Sequence, residues 1–185
     1  MRKALLGIGA ILFVALGVGL LLFCFHRYYY PNGFRSGKLT TFMGALTEYA
    51  MDHGGKYPDG GITPIQSLQK LYPRYASSAL AGMSGDEGRT EAYLRKGKQL
   101  DTNVSSWVYF PGFSTSDNPA IAIIWEREAG IFVNGSRASG HAVGFVGGGY
   151  GQVSVAEWST FVQEQQSLRS TALAGKRSER ERLKP

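Results

Sequence analysis

The feature that most constrains this chain is an uncharged apolar run of 22 residues, from Ala4 to Phe25, near its amino terminus. A helix rises about 1.5 Å per residue, so the run would span roughly 33 Å, enough to cross a hydrocarbon core of about 30 Å. Tyr28, Tyr29 and Tyr30 follow it, where an aromatic belt would meet lipid headgroups. The run therefore predicts a transmembrane anchor over residues 1–30.

A cleaved signal peptide is the competing interpretation of this run. Signal peptides have an apolar middle of about 7–15 residues that ends in a small-x-small cleavage site. Here the run is longer and ends in Phe23-Cys24-Phe25, without a small pair. An uncleaved anchor is therefore favoured. Basic residues flank the run on both sides, so the positive-inside rule leaves its orientation open.

The formal charge of +6 is concentrated at the two ends of the chain. Residues 1–38 and 169–185 hold 11 of the 20 basic residues and two of the 14 acidic ones, so residues 39–168 carry nine basic and 12 acidic side chains. A nucleic-acid-binding domain would show a clustered basic face, so nucleic acid is excluded as a partner. The single cysteine, Cys24, lies in the apolar run, which excludes a disulfide framework in the domain.

Helical periodicity follows the apolar run. Apolar residues recur at i, i+3, i+4 and i+7 from Leu39, which predicts an amphipathic helix over residues 36–52 that ends at His53-Gly54-Gly55. Thr63-Pro64-Ile65-Gln66 has the pattern of a capping box and predicts a second, short helix. Residues 91–100 stay ambiguous between a short helix and an irregular segment.

From residue 104 the pattern is typical of short strands separated by turn residues. Short connections favour antiparallel pairing. The predicted fold class is therefore α+β: an N-terminal transmembrane helix, then an amphipathic helix packed on a small antiparallel β-sheet. A closing helix is predicted over residues 156–168, and residues 169–185 are predicted to be a charged, disordered tail. The predicted strands are 104–110, 120–125, 130–133, 142–146 and 152–155.

Three motifs follow one another through residues 36–165. They are Gly55-Lys56-Tyr57-Pro58 with Leu68, Leu71, Pro73 and Tyr75 after it; Ser106-Trp107-Val108-Tyr109-Phe110-Pro111-Gly112; and Ile123-Ile124-Trp125-Glu126 with His141 and Val143-Gly144-Phe145-Val146 after it. In this order and spacing they resemble segments of type II secretion pseudopilins and type IV pilin-like proteins. The resemblance implies a pilin-like fold for a domain over residues 31–168.

The resemblance also implies a role and a location. It implies a non-enzymatic, membrane-anchored structural or interaction component of a secretion or pilus-type system, in the bacterial inner membrane with its domain outside the cytoplasm. The expected partners are membrane lipid, through the run from Ala4 to Phe25, and proteins of such an assembly. Self-association of this chain stays open. The alternative function is a membrane-tethered sensor or ligand-binding module that reuses the pilin-like fold.

Two features of the family are missing. Its members are processed after a Gly and carry a Glu at the fifth mature position, whereas residues 4–25 hold no acidic residue. Gly33-Phe34 comes after the run, and Lys38 stands at the fifth position counted from Phe34. The resemblance therefore implies a domain that has lost filament assembly, or that joins an assembly without cleavage.

No metal site is expected from the sequence. The family's calcium loop corresponds to residues 147–151, which contain no Asp, and calcium prefers several carboxylate oxygens at close range. Asp86-Glu87 and Asp117-Asn118 are interpreted as solvated turn residues. The glycines of 147–151 lack the Lys-Ser/Thr that follows a phosphate-binding loop, so they predict a tight strand connection.

The sequence offers few candidates for catalysis, and no enzyme activity and no cofactor is expected. His53 is interpreted as a residue at a helix end, where its charge favours the dipole, and His141 as a structural residue at the start of a strand. Glu126 and Glu128 would need a cleft that separates their pKa values before they could act as acid and base. A hydrolase built on His141, Glu126 and Glu128 is the remaining enzymatic hypothesis. Three tryptophans at core-like positions are interpreted as packing residues: Trp107, Trp125 and Trp158.

Overall fold

The computed structural model of this 185-residue chain describes residues 16–22, 24, 36–82, 86–129, 132–133, 136–137 and 140–182. Residues 16–22 and 24 are helical and exposed. Within these ranges no helix is long and apolar enough to cross a membrane. The prediction of a transmembrane helix from Ala4 to Phe25, and of a single-pass inner-membrane location, is therefore wrong. Residues 4–15, 23 and 25 of the predicted span lie outside the described residues.

The strands of the domain are β1 (Trp107–Tyr109), β2 (Ala122–Glu126), β3 (Phe132–Val133), β4 (Ser136–Arg137), β5 (Gly140–Phe145) and β6 (Tyr150–Ser154). Four of them form a central antiparallel sheet with the order β1-β2-β5-β6. The two short strands β3 and β4 pair with each other in the connection between β2 and β5. The predicted α+β class and antiparallel sheet are confirmed.

One face of the sheet is covered by helix α1 (Ser36–Asp52), as the periodicity predicts. The apolar stripe of α1 is buried, and Phe42 stacks on Trp107 of β1 with ring centroids 5.1 Å apart. Gly144 of β5 allows the helix to approach closely, because a Cβ there would overlap Met43 Sδ. Gly54 and Gly55 have positive φ values of 62° and 81° and end the helix, as predicted.

Short helices connect α1 to the sheet. Thr63 N–H donates to Gln66 Oε1 over 3.1 Å at the start of α2 (Pro64–Ser67), as the capping pattern predicts. Two 3₁₀ turns follow, at Leu68–Leu71 and Ser78–Ala81. Helix α3 (Glu87–Arg95) begins before the ambiguous segment at 91–100, because the side chain of Asp86 accepts a hydrogen bond from Arg89 N–H and caps it.

The other face of the sheet is covered by a long helix, α4 (Trp158–Arg182). The sequence predicts disorder from residue 169, yet α4 continues to Arg182. Its polar side chains bond back to the sheet and its loops: Gln165 Oε1 accepts from Ala122 N–H over 2.7 Å, and Lys176 Nζ donates to Gly112 O over 2.8 Å. The high charge of residues 169–182 therefore does not prevent them from forming a helix that packs on the domain.

Candidate interaction surface

The two candidate histidines, His53 and His141, serve packing roles in different parts of the domain. His141 is 7% exposed, lies stacked on Trp158 with ring centroids 3.7 Å apart, and places Nδ1 3.0 Å from the backbone oxygen of Glu126. His53 follows α1, stacks on Tyr49 at 3.8 Å and places Nδ1 2.7 Å from the oxygen of that residue. Each ring thus lies flat against an aromatic neighbour and bonds a carbonyl oxygen.

The acidic candidates also lie at separate positions in the domain. Glu126 is 1% exposed whereas Glu128 is exposed, so the two carboxylates do not share one environment. Asp86 caps α3, and Glu87 lies 2.9 Å from Lys38 Nζ. The structure thus places His141 beside the backbone of Glu126 and leaves the other candidates at separate positions. Within the ranges that the structure describes, no three His, Cys, Asp or Glu side chains are grouped to hold a metal ion.

Asp117 anchors the C-terminal helix. Its Oδ2 lies 2.5 Å from Lys176 Nζ and accepts from Ser114 N–H over 2.7 Å. Burial alone would raise the pKa of this carboxyl, but its bonds to Lys176 and Ser114 act more strongly, and the net pKa is lowered. Asp117, which the sequence predicts to be a solvated turn residue, therefore links its loop to α4.

Sequence reasoning missed the residue at the centre of the α4 face, Arg169. It is 9% exposed, and its guanidinium carbon lies 3.8 Å from the ring centroid of Phe110 and 4.9 Å from that of Trp125. One of its nitrogens donates to Ala122 O over 3.3 Å. Burial lowers the pKa of this guanidinium. The sequence signal for Arg169 is a helical stripe in which the apolar stems of long polar side chains are counted as apolar. Its members are Phe161, Gln165, Arg169, Ala172 and Lys176.

With both faces covered by helices, the two edge strands are the parts of the sheet left for association. Beside β1 lies an open groove of about 450 Å³ whose apolar walls include Ile65, Trp107 and Phe110. Asp101 and Arg127 lie at its rim. Trp107 Nε1 donates to Ala79 O over 2.9 Å, so the connecting segment packs against this edge.

The opposite edge, β6, is more open. Tyr150 is 52% exposed, and Gly151 and Gln152 are also exposed. The tight turn before it is closed by Gly148, with φ of 77°, and by a 2.9 Å bond from Phe145 N–H to Gly149 O. The glycines of 147–151 thus make a strand connection, as the sequence predicts.

Comparison of the chain with protein-family models, with curated proteins and with solved structures gives no match in any of the three. The site is therefore interpreted from its own geometry.

Proposed function

We propose that this chain is a non-enzymatic, pseudopilin-like interaction component of a secretion or pilus-type assembly, and that an edge of its sheet joins a partner protein. The observation that carries the proposal is the coverage of both sheet faces. Helix α1 buries one face and α4 the other, whereas, among the residues that the structure describes, no strand pairs with the outer side of β1 or of β6. An edge strand offers its free N–H and C=O groups to another chain.

The packing of the candidate catalytic residues supports a binding role over a chemical one. His141 and His53 are each held against an aromatic ring, and Glu126 is buried beneath the sheet surface. A general acid or base must reach a substrate in a cleft. The order of the GKYP, Trp-Val-Tyr and Ile-Ile-Trp-Glu motifs supports the pseudopilin-like part of the proposal.

Photo-crosslinking of the full chain in its own cells tests this function. A benzophenone amino acid would replace Tyr150 in β6 in one variant, Thr102 in the lining of the β1 groove in a second, and Met51 in a control. Met51 is 78% exposed and lies at the end of α1, away from both edge strands in sequence. We expect at least one edge position to crosslink a component of a secretion or pilus-type assembly, identified by mass spectrometry. Equal products from all three positions would contradict the proposal.

A ligand-binding module is the second candidate, and the groove beside β1 is the observation that favours it. Its volume of about 450 Å³ and its aromatic walls fall in the range of small-molecule sites. Filling the groove with Ile65→Trp separates the two functions, because it leaves β6 unchanged. Loss of the cellular function in Ile65→Trp, with no loss on blocking β6, would favour the ligand-binding module.

A further inference from the structure

The geometry points to β6 and the groove beside it as the site where an extended, basic segment of a partner adds to the sheet as a fifth strand. This inference rests on the proposed function and goes further, because it names one edge and the chemistry of the segment that it takes.

The backbone of β6 offers hydrogen bonds on its outer side. Phe145 of β5 donates its N–H to Gly149 O. Every second residue of an antiparallel strand bonds to the same neighbour, so Gly151 and Val153 are the β6 residues whose backbone groups face β5. Alternation along the strand then directs the N–H and C=O groups of Tyr150 and Gln152 away from the sheet. In the part of the chain that the structure describes, no residue bonds these four groups.

The composition of β6 suits pairing with another chain. Natural edge strands are protected by charged side chains, by Pro or by a covering element. The strand reads Tyr-Gly-Gln-Val-Ser, with neither charge nor Pro, and its residues 150–152 are exposed. An edge of this kind is a template for an added strand.

The groove of about 440 Å³ beside β6 selects the charge of that strand. Val153 of β6 and Phe161 of α4 are apolar residues of its lining, and Glu157 and Glu164 are the acidic ones; one Glu157 carboxylate oxygen accepts from the Ser154 hydroxyl over 2.6 Å. Phe161 and Glu164 are spaced i and i+3, so they share one side of α4, and Glu157 lies directly before the helix, where its carbonyl oxygen accepts from Phe161 N–H over 2.9 Å. Side chains of an added strand that face α4 would lie two residues apart over this groove, so one apolar and one Lys or Arg side chain complement it.

The β1 edge does not make the same selection. The groove beside β1 has one residue of each sign at its rim, Asp101 and Arg127. The guanidinium of Arg127 already donates to the carbonyl oxygens of Thr102 and Ser105, both over 3.2 Å. Ser106 N–H is also occupied, by Ala81 O at 2.9 Å. Charge complementarity therefore assigns the basic segment to β6.

Two synthetic peptides test the inference on the full chain. One carries lysine at positions 1 and 5 and valine at positions 3 and 7, with threonine at the positions between them, and the other has the same length with glutamate in place of lysine. Fluorescence anisotropy of labelled peptides at low salt gives the two dissociation constants. We expect the lysine peptide to bind at least tenfold more tightly, and the preference to weaken as salt is added.

Two variants locate the binding. Gln152→Pro removes an outward N–H without touching the ladder to β5, and we expect at least tenfold weaker binding; Gln152→Ala, its control, keeps the N–H and should bind as the wild type does. Glu164→Lys lies on the helix surface and should remove most of the preference between the peptides, because the groove then holds one carboxylate and one ammonium group. Circular dichroism checks the fold of each variant, and if Gln152→Pro unfolds, Glu164→Lys carries the test.

Three results would overturn the inference. They are equal binding of both peptides, no binding of either, or a lysine preference that Glu164→Lys leaves unchanged. Dimerisation that Gln152→Pro removes, without selection between the peptides, would assign the edge to a second copy of this chain. The proposed function survives any of these results if Thr102 still crosslinks an assembly component, and it fails if neither edge does.

Discussion

The two faces of the sheet are covered by helices of opposite character. On one face, α1 packs a continuous apolar stripe against the strands, with Phe42 and Leu46 fully buried. On the other, α4 combines a small aromatic cluster around Trp125 with buried polar groups, Gln165 and Arg169. Both helices bury a face of the sheet, but only the first does so with a pattern that hydropathy detects.

The difference shows two ways to attach a helix to a sheet. Burial of apolar surface is roughly proportional to area and needs no particular partner. The α4 contacts are specific: the amide oxygen of Gln165 accepts from Ala122 N–H at the start of β2, and the amide nitrogen donates to Ala120 O, two residues before the strand. We therefore expect substitutions in α1 to cost more stability, and substitutions in α4 to depend more on the chemistry of the replacement.

The largest expected effect is on the α1 face. Phe42→Ala should lower the free energy of unfolding by about 3–5 kcal/mol, because it leaves a cavity where the ring now stacks on Trp107. Urea unfolding measures the change, with Met51→Ala as a control on the same helix. Met51 is 78% exposed and its replacement should change stability by less than about 0.5 kcal/mol. A loss below about 1 kcal/mol for Phe42→Ala would show that α1 is not the main core element.

Arg169→Ala should have the next largest effect. It removes a cation held over Phe110 and Trp125 and leaves Ala122 O without that donor, so we expect a loss of about 2 kcal/mol. Arg169→Met keeps the apolar stem and removes a charge that is costly to bury, so it should lose less. Urea unfolding followed by tryptophan fluorescence distinguishes them. Equal losses in the two variants, which both lack the charge, would make the charge, rather than the packing of the stem, decisive.

The tie between Asp117 and Lys176 should show in the pH dependence of stability. The pKa of Asp117 is lower in the folded chain than its usual value of about 3.9, so its contribution is fully present above about pH 4 and is lost as the pH falls through the folded value. We expect the free energy of unfolding of the wild type to exceed that of Asp117→Asn by about 1 kcal/mol at every pH between 5 and 7. This difference should shrink below pH 4.

Thermal unfolding across this pH range provides the measurement, and Lys176→Met serves as the matched control. It removes the cation that helps lower the pKa of Asp117, so its pH dependence should be weaker than that of the wild type. If the difference in stability between the wild type and Asp117→Asn stayed constant down to pH 2, the ionised form of Asp117 would stabilise the fold no more than its protonated form does.

The smallest effect is expected beyond the anchored part of α4. Arg177 and Glu181 form an exposed pair at i and i+4, with 3.3 Å between nitrogen and oxygen. Arg177→Ala should change the unfolding free energy by less than about 0.5 kcal/mol, because solvent screens such pairs. Thermal unfolding at low and high salt checks this. A loss comparable to that of Arg169→Ala would mean that the end of α4 contributes to the core.

The sequence predicts the parts of the fold that depend on neighbours in the chain. The spacing from Leu39 predicts α1 with its observed bounds, and turn residues separate the strands of an antiparallel sheet. It misses β4, a strand of two residues, and it ends the closing helix at residue 168, because Arg169 and Lys176 have the pattern of surface residues in a charged segment. For the candidate site, it indicates that strand edges are available for pairing but not which strands lie at the edges.

The sequence by itself determined the α+β class, helix α1 and the short antiparallel connections, because periodicity and turn chemistry act over a few residues. Only the tertiary structure decided that α4 closes the second face, that β6 ends the sheet, and that Glu157 and Glu164 flank Val153 in one groove. These features depend on contacts between distant residues, such as Gln165 with Ala122. No local pattern specifies such contacts, because each side chain meets its partner only after the strands have paired.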